Sequence, residues 1–345
     1  MKFGLDGFKE FYRWPSYWSK PATFLGRILR PLVVSWMKKK RLKIVEAPRV
    51  SSQIPIVCIG NIVLGGAGKT PLVASLALKL QEAGFTPGIV SRGFGGRVKS
   101  LPIEVTEQSL PKQVGDEPLM LKKRTGCPVI VCRDRAQAIE RLCFHYPVNV
   151  ILSDDGLQNT GMWRDFSVCV FNKEQGIGNG LEMPFGPLRE PISAVHQMDA
   201  IVVRGTDYPK EMLIEMGIET KTPIFGSVAQ MAYVYRSDKP EIHRSLDHLK
   251  DHGNFDAVAG IASPRRFFEG LQQAGLMIKE HTFPDHYVFS AADTAELSNV
   301  ITTEKDAVKL VHLLKEPFWI VALESLQPEF ETWLIDSLND WSIRL

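Results

Sequence analysis

Residues 54–84, IPIVCIGNIVLGGAGKTPLVASLALKLQEAG, constrain this fold more than any other stretch of the chain. An apolar run from Ile56 to Ile59 opens into a glycine-rich turn (Gly65, Gly66, Gly68), passes Lys69-Thr70 and continues as an apolar-periodic segment that stops near Gly84. That order reads as strand, loop, helix. Glycines let the backbone curl so that successive N–H groups converge on a phosphate, and the following helix adds its positive N-terminal end. Lys69 then reaches the β- and γ-phosphates and Thr70 binds Mg²⁺. The strict G-x-x-x-x-G-K-[ST] spacing asks for glycine where this chain has Val63, so the match is to the shorter GGxGKT form. Binding of a nucleoside triphosphate is the expectation.

A chain of 345 residues, 44% hydrophobic and 23% charged, has room for two cores and lacks the composition of a disordered protein. Cys58, Cys127, Cys132, Cys143 and Cys169 form no CxxC pair and mostly lie in apolar runs. That pattern argues for a reducing compartment and against structural zinc. Net charge is +2, yet residues 1–48 hold eleven Lys/Arg against only Asp6, Glu10 and Glu46. The asymmetry points to one basic surface and not to a nucleic-acid coat. Residues 1–45 also carry nine aromatics, among them Trp14, Trp18 and Trp36. The apolar stretch Ala22–Met37 is broken by Arg27, Arg30 and Pro31 and falls short of the roughly 20 residues that span a bilayer. No signal-peptide cleavage pattern follows it. Aromatic and apolar residues mixed with Lys/Arg, closing on Lys38-Lys39-Lys40-Arg41, describe an arm lying in a membrane interface beside anionic head groups. Packing on its own domain or on a partner subunit is the alternative.

After the phosphate loop, Thr86–Arg97 reads as a strand leaving into a glycine-rich loop, where Arg92 and Arg97 either contact an anion or lie on a surface turn. Asp116-Glu117 precedes a helical run and, on spacing, reads as a pair of helix-start acids. Val148–Ser153 is a buried strand ending at Asp154-Asp155, where carboxylates are suited to organising Mg²⁺ or, with Gly156, to reversing the chain. Gly176–Pro191 is too rich in Gly and Pro for regular structure and long for a plain connection, as functional loops are; Arg189 there faces an anion or solvent. A second strand and helix alternation starts at Phe255. Two α/β halves result: an arm over 1–48, a nucleotide-binding domain over 49–205, a linker over 206–250 and a smaller subdomain over 251–345.

The motifs GNIVLGGAGKTP, SRGFGG, GDEP, DDGLQ, PFGPLREP, GIASPRRFF, FPDHY and TTEKDAVKL, in this order, resemble those of the tetraacyldisaccharide 4′-kinases of Gram-negative bacteria, from about Gly60 to Leu310. The aromatic, basic N-terminus resembles the membrane-attached one of that family. The resemblance implies a P-loop NTPase-like α/β sheet with helices on both faces, a second smaller α/β half and a membrane-interface helical arm. It implies ATP-dependent phosphorylation of the 4′-hydroxyl of a tetraacylated glucosamine disaccharide at the cytoplasmic face of the inner membrane, with Mg²⁺. By position, Val63, Leu64, Gly65, Gly66, Ala67, Gly68, Lys69 and Thr70 would hold ATP and Asp116 would be the catalytic carboxylate. His286 would partner Asp116, and Glu117, Asp154, Asp155 and Gln158 would manage Mg²⁺. The family typically has His after DDGLQ; this chain has Asn159, which cannot become cationic. A P-loop GTPase is a poor match, since Asn172-Lys173-Glu174-Gln175 lacks the Asp of N-K-x-D. A membrane-localised P-loop ATPase of another class would carry a lysine at Leu64.

Overall fold

β1 (Ile56–Gly60) is buried along its whole length, and the alternation of its side chains explains why helices cover both faces of the sheet. Val57 and Ile59 enter one core with Leu72, Leu76 and Leu80, while Ile56 and Cys58 enter another with Ile139 and Leu142. The structure, a computed structural model, describes residues 14–20, 24–45, 53–97 and 101–343. α1 (Phe24–Val45) precedes β1. After it come α2 (Lys69–Glu82), β2 (Pro87–Ser91), β3 (Ile103–Val105), α3 (Pro111–Val114), α4 (Asp116–Thr125), β4 (Val129–Val131) and α5 (Arg135–His145). β5 (Val150–Asp154), β6 (Phe166–Asn172), β7 (Ala200–Arg204) and α6 (Pro209–Glu215) complete the first half. The second contains β8 (Ile224–Arg236), β9 (Lys239–Arg244), β10 (Phe255–Ala259), α7 (Pro264–Gln273), β11 (Ile278–Thr282) and α8 (Ala291–Thr294). It closes with β12 (Val300–Thr303), α9 (Glu304–Leu310), β13 (Trp319–Leu326) and α10 (Pro328–Ile343).

Thirteen strands among the described residues form one sheet in the order β11-β10-β12-β13-β8-β7-β6-β1-β5-β2-β4-β3, with β9 paired to β8. β1 lies between β5 and β6, parallel to both. The connections after β1 and β5 therefore part to opposite sides and leave a crevice at the C-terminal strand ends, the usual ligand position in open α/β sheets.

Residues 206–250, expected as the linker, join the halves through paired structure: Ile224–Ser227 of β8 pairs parallel with β7, and Val228 onward pairs antiparallel with β13. β8 thus fuses the two halves. It is hard to see in sequence because only Ser227 and Val234 along it are buried, so it shows neither a continuous apolar run nor alternation. α10, expected in the second half, returns to the first, where Phe330, Leu334 and Leu338 at four-residue spacing join the core around α2.

The expected arm is partly in view; its residues 1–13, 21–23 and 46–48 lie outside the described set. Trp18 and Met37 are buried. Arg30 binds Glu182 in two hydrogen bonds of 3.0 and 3.2 Å, and Arg41 pairs with Glu190, so α1 is seated on the long loop 176–191. No helix among the described residues is long and apolar enough to cross a membrane.

Candidate active site

Lys69 opens α2, and Gly68 before it has φ +71°, a left-handed turn that brings the Lys69-Thr70 end of the loop under the helix N-terminus. A side chain at 68 would overlap the Arg204 guanidinium, whose Nη1 donates to the Gly68 carbonyl at 2.8 Å. Lys69 is buried with Nζ donating to Asn61 Oδ1 at 3.1 Å and standing 3.5 Å from Asp155. Leu64 to Thr70 line a cleft of about 1610 Å³ that both halves share. Val63 does not line it: its side chain is buried in the core behind, and its backbone bridges Leu188. This is where glycine at 63 becomes unnecessary, because position 63 serves the sheet side of the loop.

The Asp154-Asp155 pair ends β5 beside the loop. Asp154 is fully buried; its Oδ2 accepts from the Thr70 hydroxyl at 3.4 Å, and its Oδ1 has no hydrogen-bond partner. Burial pushes its carboxyl up to about 7, with the Glu117 and Asp155 charges adding to the effect. Asp155 goes the other way: burial raises it, but Lys69 and Arg189, the latter at 3.2 Å, outweigh that and hold it below the usual range. Gln158 donates to the Asn61 carbonyl at 3.0 Å and to Glu190 at 2.8 Å. Arg135, itself buried, donates to the Asp154 carbonyl at 3.3 Å from below. Asn159 turns its side chain to the Gly161 N–H at 2.9 Å and so closes its own turn.

Asp116 and His286, 170 residues apart, meet across the cleft. The Nδ1 of His286 is 3.1 and 3.0 Å from the two Asp116 oxygens. Asp116 is the first residue of α4, where its own Oδ1 also accepts the Glu117 N–H at 3.0 Å. Burial raises the Asp116 carboxyl, yet the hydrogen bond from His286 and the Lys305, His286 and Lys309 charges prevail and bring it to about 2. His286 is held at φ +57°, outside the range most side chains adopt, and the Phe94 ring meets it edge-on at 5.0 Å. On its far side Nε2 lies 3.3 Å from Lys305 Nζ. Lys305 also pairs with Asp285 at 2.8 Å and Glu117 at 3.2 Å, so it ties α9 to α4 and to the His286 loop. Nearby, Arg124 of α4 and Glu304 of α9 form a second buried pair between the halves.

The structure thus brings Lys69, Thr70, Asp116, Glu117, Asp154, Asp155, Gln158 and His286 around one cleft, with Arg92 and Arg189 on its wall. Arg97 is exposed at the loop end. Sequence reasoning passed over Lys305, Lys309, Arg204 and Arg135. The first two sit four apart in TTEKDAVKL, so one face of a short helix was the only available signal. Among the described residues no three His, Cys, Asp or Glu side chains converge as a metal-binding group. Mg²⁺ held by one carboxylate, a hydroxyl and substrate phosphates needs no such group, and the unpartnered Asp154 Oδ1 beside Thr70 fits it.

Comparison with known proteins completes the description. A family profile for Tetraacyldisaccharide-1-P 4'-kinase matches residues 25–339. A tetraacyldisaccharide 4'-kinase of Dechloromonas aromatica is 41% identical over 290 residues, 83% of this chain and 84% of the relative. One of Methylobacillus flagellatus is 38% identical over 333 residues, 92% and 93% of the two chains. The crystal structure of LpxK from Aquifex aeolicus, solved in complex with ATP, has a TM-score of 0.71 at 24% identity and covers 91% of this chain and 99% of that one, a likeness of fold.

Proposed function

This chain belongs to the tetraacyldisaccharide-1-P 4'-kinase family, and on that basis we propose that it transfers the γ-phosphoryl group of ATP to the 4′-hydroxyl of a tetraacylated glucosamine disaccharide 1-phosphate in lipid A biosynthesis. One observation carries the reading: a carboxylate and an imidazole from different halves meet in the same cleft as the phosphate loop.

In the transfer the sugar oxygen bonds to phosphorus, the bond from phosphorus to the ADP oxygen breaks, and the hydroxyl proton passes to Asp116. Phosphoryl transfer is loose, so the attacking oxygen keeps its proton until late and a weak base suffices if it is well placed. A carboxylate at about 2 is such a base: always ionised and always ready to accept. The Lys305 ammonium has only donors to offer, so in neutral His286 it meets the Nε2 lone pair and leaves the ring proton on Nδ1, facing Asp116. Lys69 balances charge on the transferring phosphate. Asp154 and Thr70 would hold Mg²⁺, with Glu117, Asp155 and Gln158 at its border; each of these three already has partners here, the Lys305 ammonium for Glu117, Lys69 and Arg189 for Asp155, and the Glu190 carboxylate and Asn61 carbonyl as acceptors for Gln158. When bound, that ion would supply positive charge against the phosphate oxygens.

The acylated substrate stays in a bilayer, and α1 supplies what reaching it requires. Ile28, Leu32 and Trp36, at four-residue spacing, form an exposed apolar row with Leu42 beyond it and Arg27, Lys38 and Lys39 alongside, on the side turned away from loop 176–191. Trp36 and Met37 of the same helix line the cleft. On this reading the enzyme works as a peripheral protein at the cytoplasmic face of the inner membrane. Incubation with ATP, Mg²⁺ and a detergent-dispersed disaccharide precursor should add the mass of one phosphate to the lipid, and Lys69→Ala should abolish the gain while leaving the fold intact. Unchanged turnover in Lys69→Ala would sink the assignment.

A further inference from the structure

The N-terminal segment does more than carry the membrane helix, because its first described residue touches the phosphate loop. Trp14 Nε1 donates to the Leu64 carbonyl at 2.9 Å, and Gln175 Nε2 donates to the same oxygen at 2.6 Å. Leu64 opens the stretch of loop that faces the cleft. In a planar trans peptide the carbonyl of one residue and the N–H of the next point in opposite directions. Two donors that fix the Leu64 C=O therefore also fix the Gly65 N–H on the opposite edge of that peptide, and Gly65 lines the cleft. Arg204 does the same at the other end, where its grip on the Gly68 carbonyl sets the Lys69 N–H.

The indole is itself fixed. Its ring meets Trp18 edge-on at 6.0 Å, and Trp18 Nε1 donates to the Pro184 carbonyl at 3.1 Å. Gly178 lies against it with φ +58°, so close that a Cβ there would come within 3.0 Å of the Trp14 ring and 2.9 Å of the Trp18 carbonyl. The segment is a wedge between the phosphate loop and loop 176–191.

We infer that Trp14 is a positioning residue for ATP: together with Gln175 it orients the Leu64–Gly65 peptide of the phosphate loop. The inference rests on the phosphoryl-transfer reading above. Trp14→Phe keeps an aromatic ring and removes the donor. In the full-length protein it should weaken ATP binding, measured by equilibrium titration without lipid, about fivefold, the worth of one neutral hydrogen bond. KM for ATP should rise by the same factor, while kcat, KM for lipid and sedimentation with anionic phospholipid vesicles stay within twofold. Gln175→Met should weaken ATP binding likewise, and the double variant should depart from the product of the two losses, since both donors share one acceptor. Wild-type ATP affinity in Trp14→Phe overturns the inference. So does a loss shared equally by lipid KM and vesicle binding, which would assign the indole to the membrane. If the wild-type protein binds no ATP at all, the phosphoryl-transfer reading fails with it.

Discussion

The Asp116–His286 pair allows a quantitative test of whether two residues from separate halves act as one unit. A carboxyl held at about 2 instead of the usual 3.8 is favoured as the anion by about 2 kcal/mol, at about 1.4 kcal/mol per pKa unit. Asp116 is only 4% exposed, so solvent screening does not erode this. Removing either partner should lower kcat by at least about a hundredfold, the lower range for a positioned proton acceptor, with ATP affinity nearly unchanged. A hundredfold is about 2.7 kcal/mol of barrier. If the two residues act as one unit, Asp116→Ala with His286→Ala should lose little more than Asp116→Ala does. Independent action would instead multiply the losses to about ten thousandfold. Single-turnover measurements with saturating ATP isolate the chemical step. A multiplicative double variant would refute the idea that the halves complete the site by bringing this pair together.

Three further outcomes follow from other contacts. His286 is held above its usual 6.5, since burial depresses it less than the Asp116 hydrogen bond and the Asp116 and Asp285 charges raise it. That stabilisation is complete below about 6.5 and is lost as pH rises through the raised value, so urea midpoints of wild type should fall toward those of His286→Gln as the pH is taken upward from about 6.5; parallel curves would contradict this. Arg124 and Glu304 are a buried pair joining α4 to α9, so Arg124→Leu should cost about 3 kcal/mol or more by urea denaturation, and Arg124→Leu with Glu304→Leu should recover much of it; no loss in the single variant would mean the pair is dispensable. Ile28 and Leu32 are 55% and 71% exposed, so Ile28→Glu with Leu32→Glu should shift the protein from vesicle pellet to supernatant without changing ATP affinity; unchanged sedimentation would remove α1 from the membrane.

What the sequence determined was local or periodic. The phosphate loop, its strand and its helix were legible because glycine placement and apolar spacing act over a few residues, and β1 and β5 announced themselves as continuous apolar runs, which parallel strands buried on both faces require. Asp154-Asp155 was legible for the same reason, as the end of such a run. The pairing of Asp116 with His286 came from the resemblance of GDEP and FPDHY to a family, since nothing in the spacing joins residues 170 apart. Tertiary structure decided the rest. It placed the long strand β8 within residues 206–250, because β7 and β13 offer β8 partners on both sides that its own composition does not advertise. It returned α10 to the first core and set Lys305 on three groups that lie 19, 20 and 188 positions away in the chain. It also turned Trp14 inward: the sequence shows an aromatic, basic segment, but only the folded chain puts an indole N–H within reach of the Leu64 carbonyl, because a hydrogen bond acts over about 3 Å of space whatever the distance along the chain.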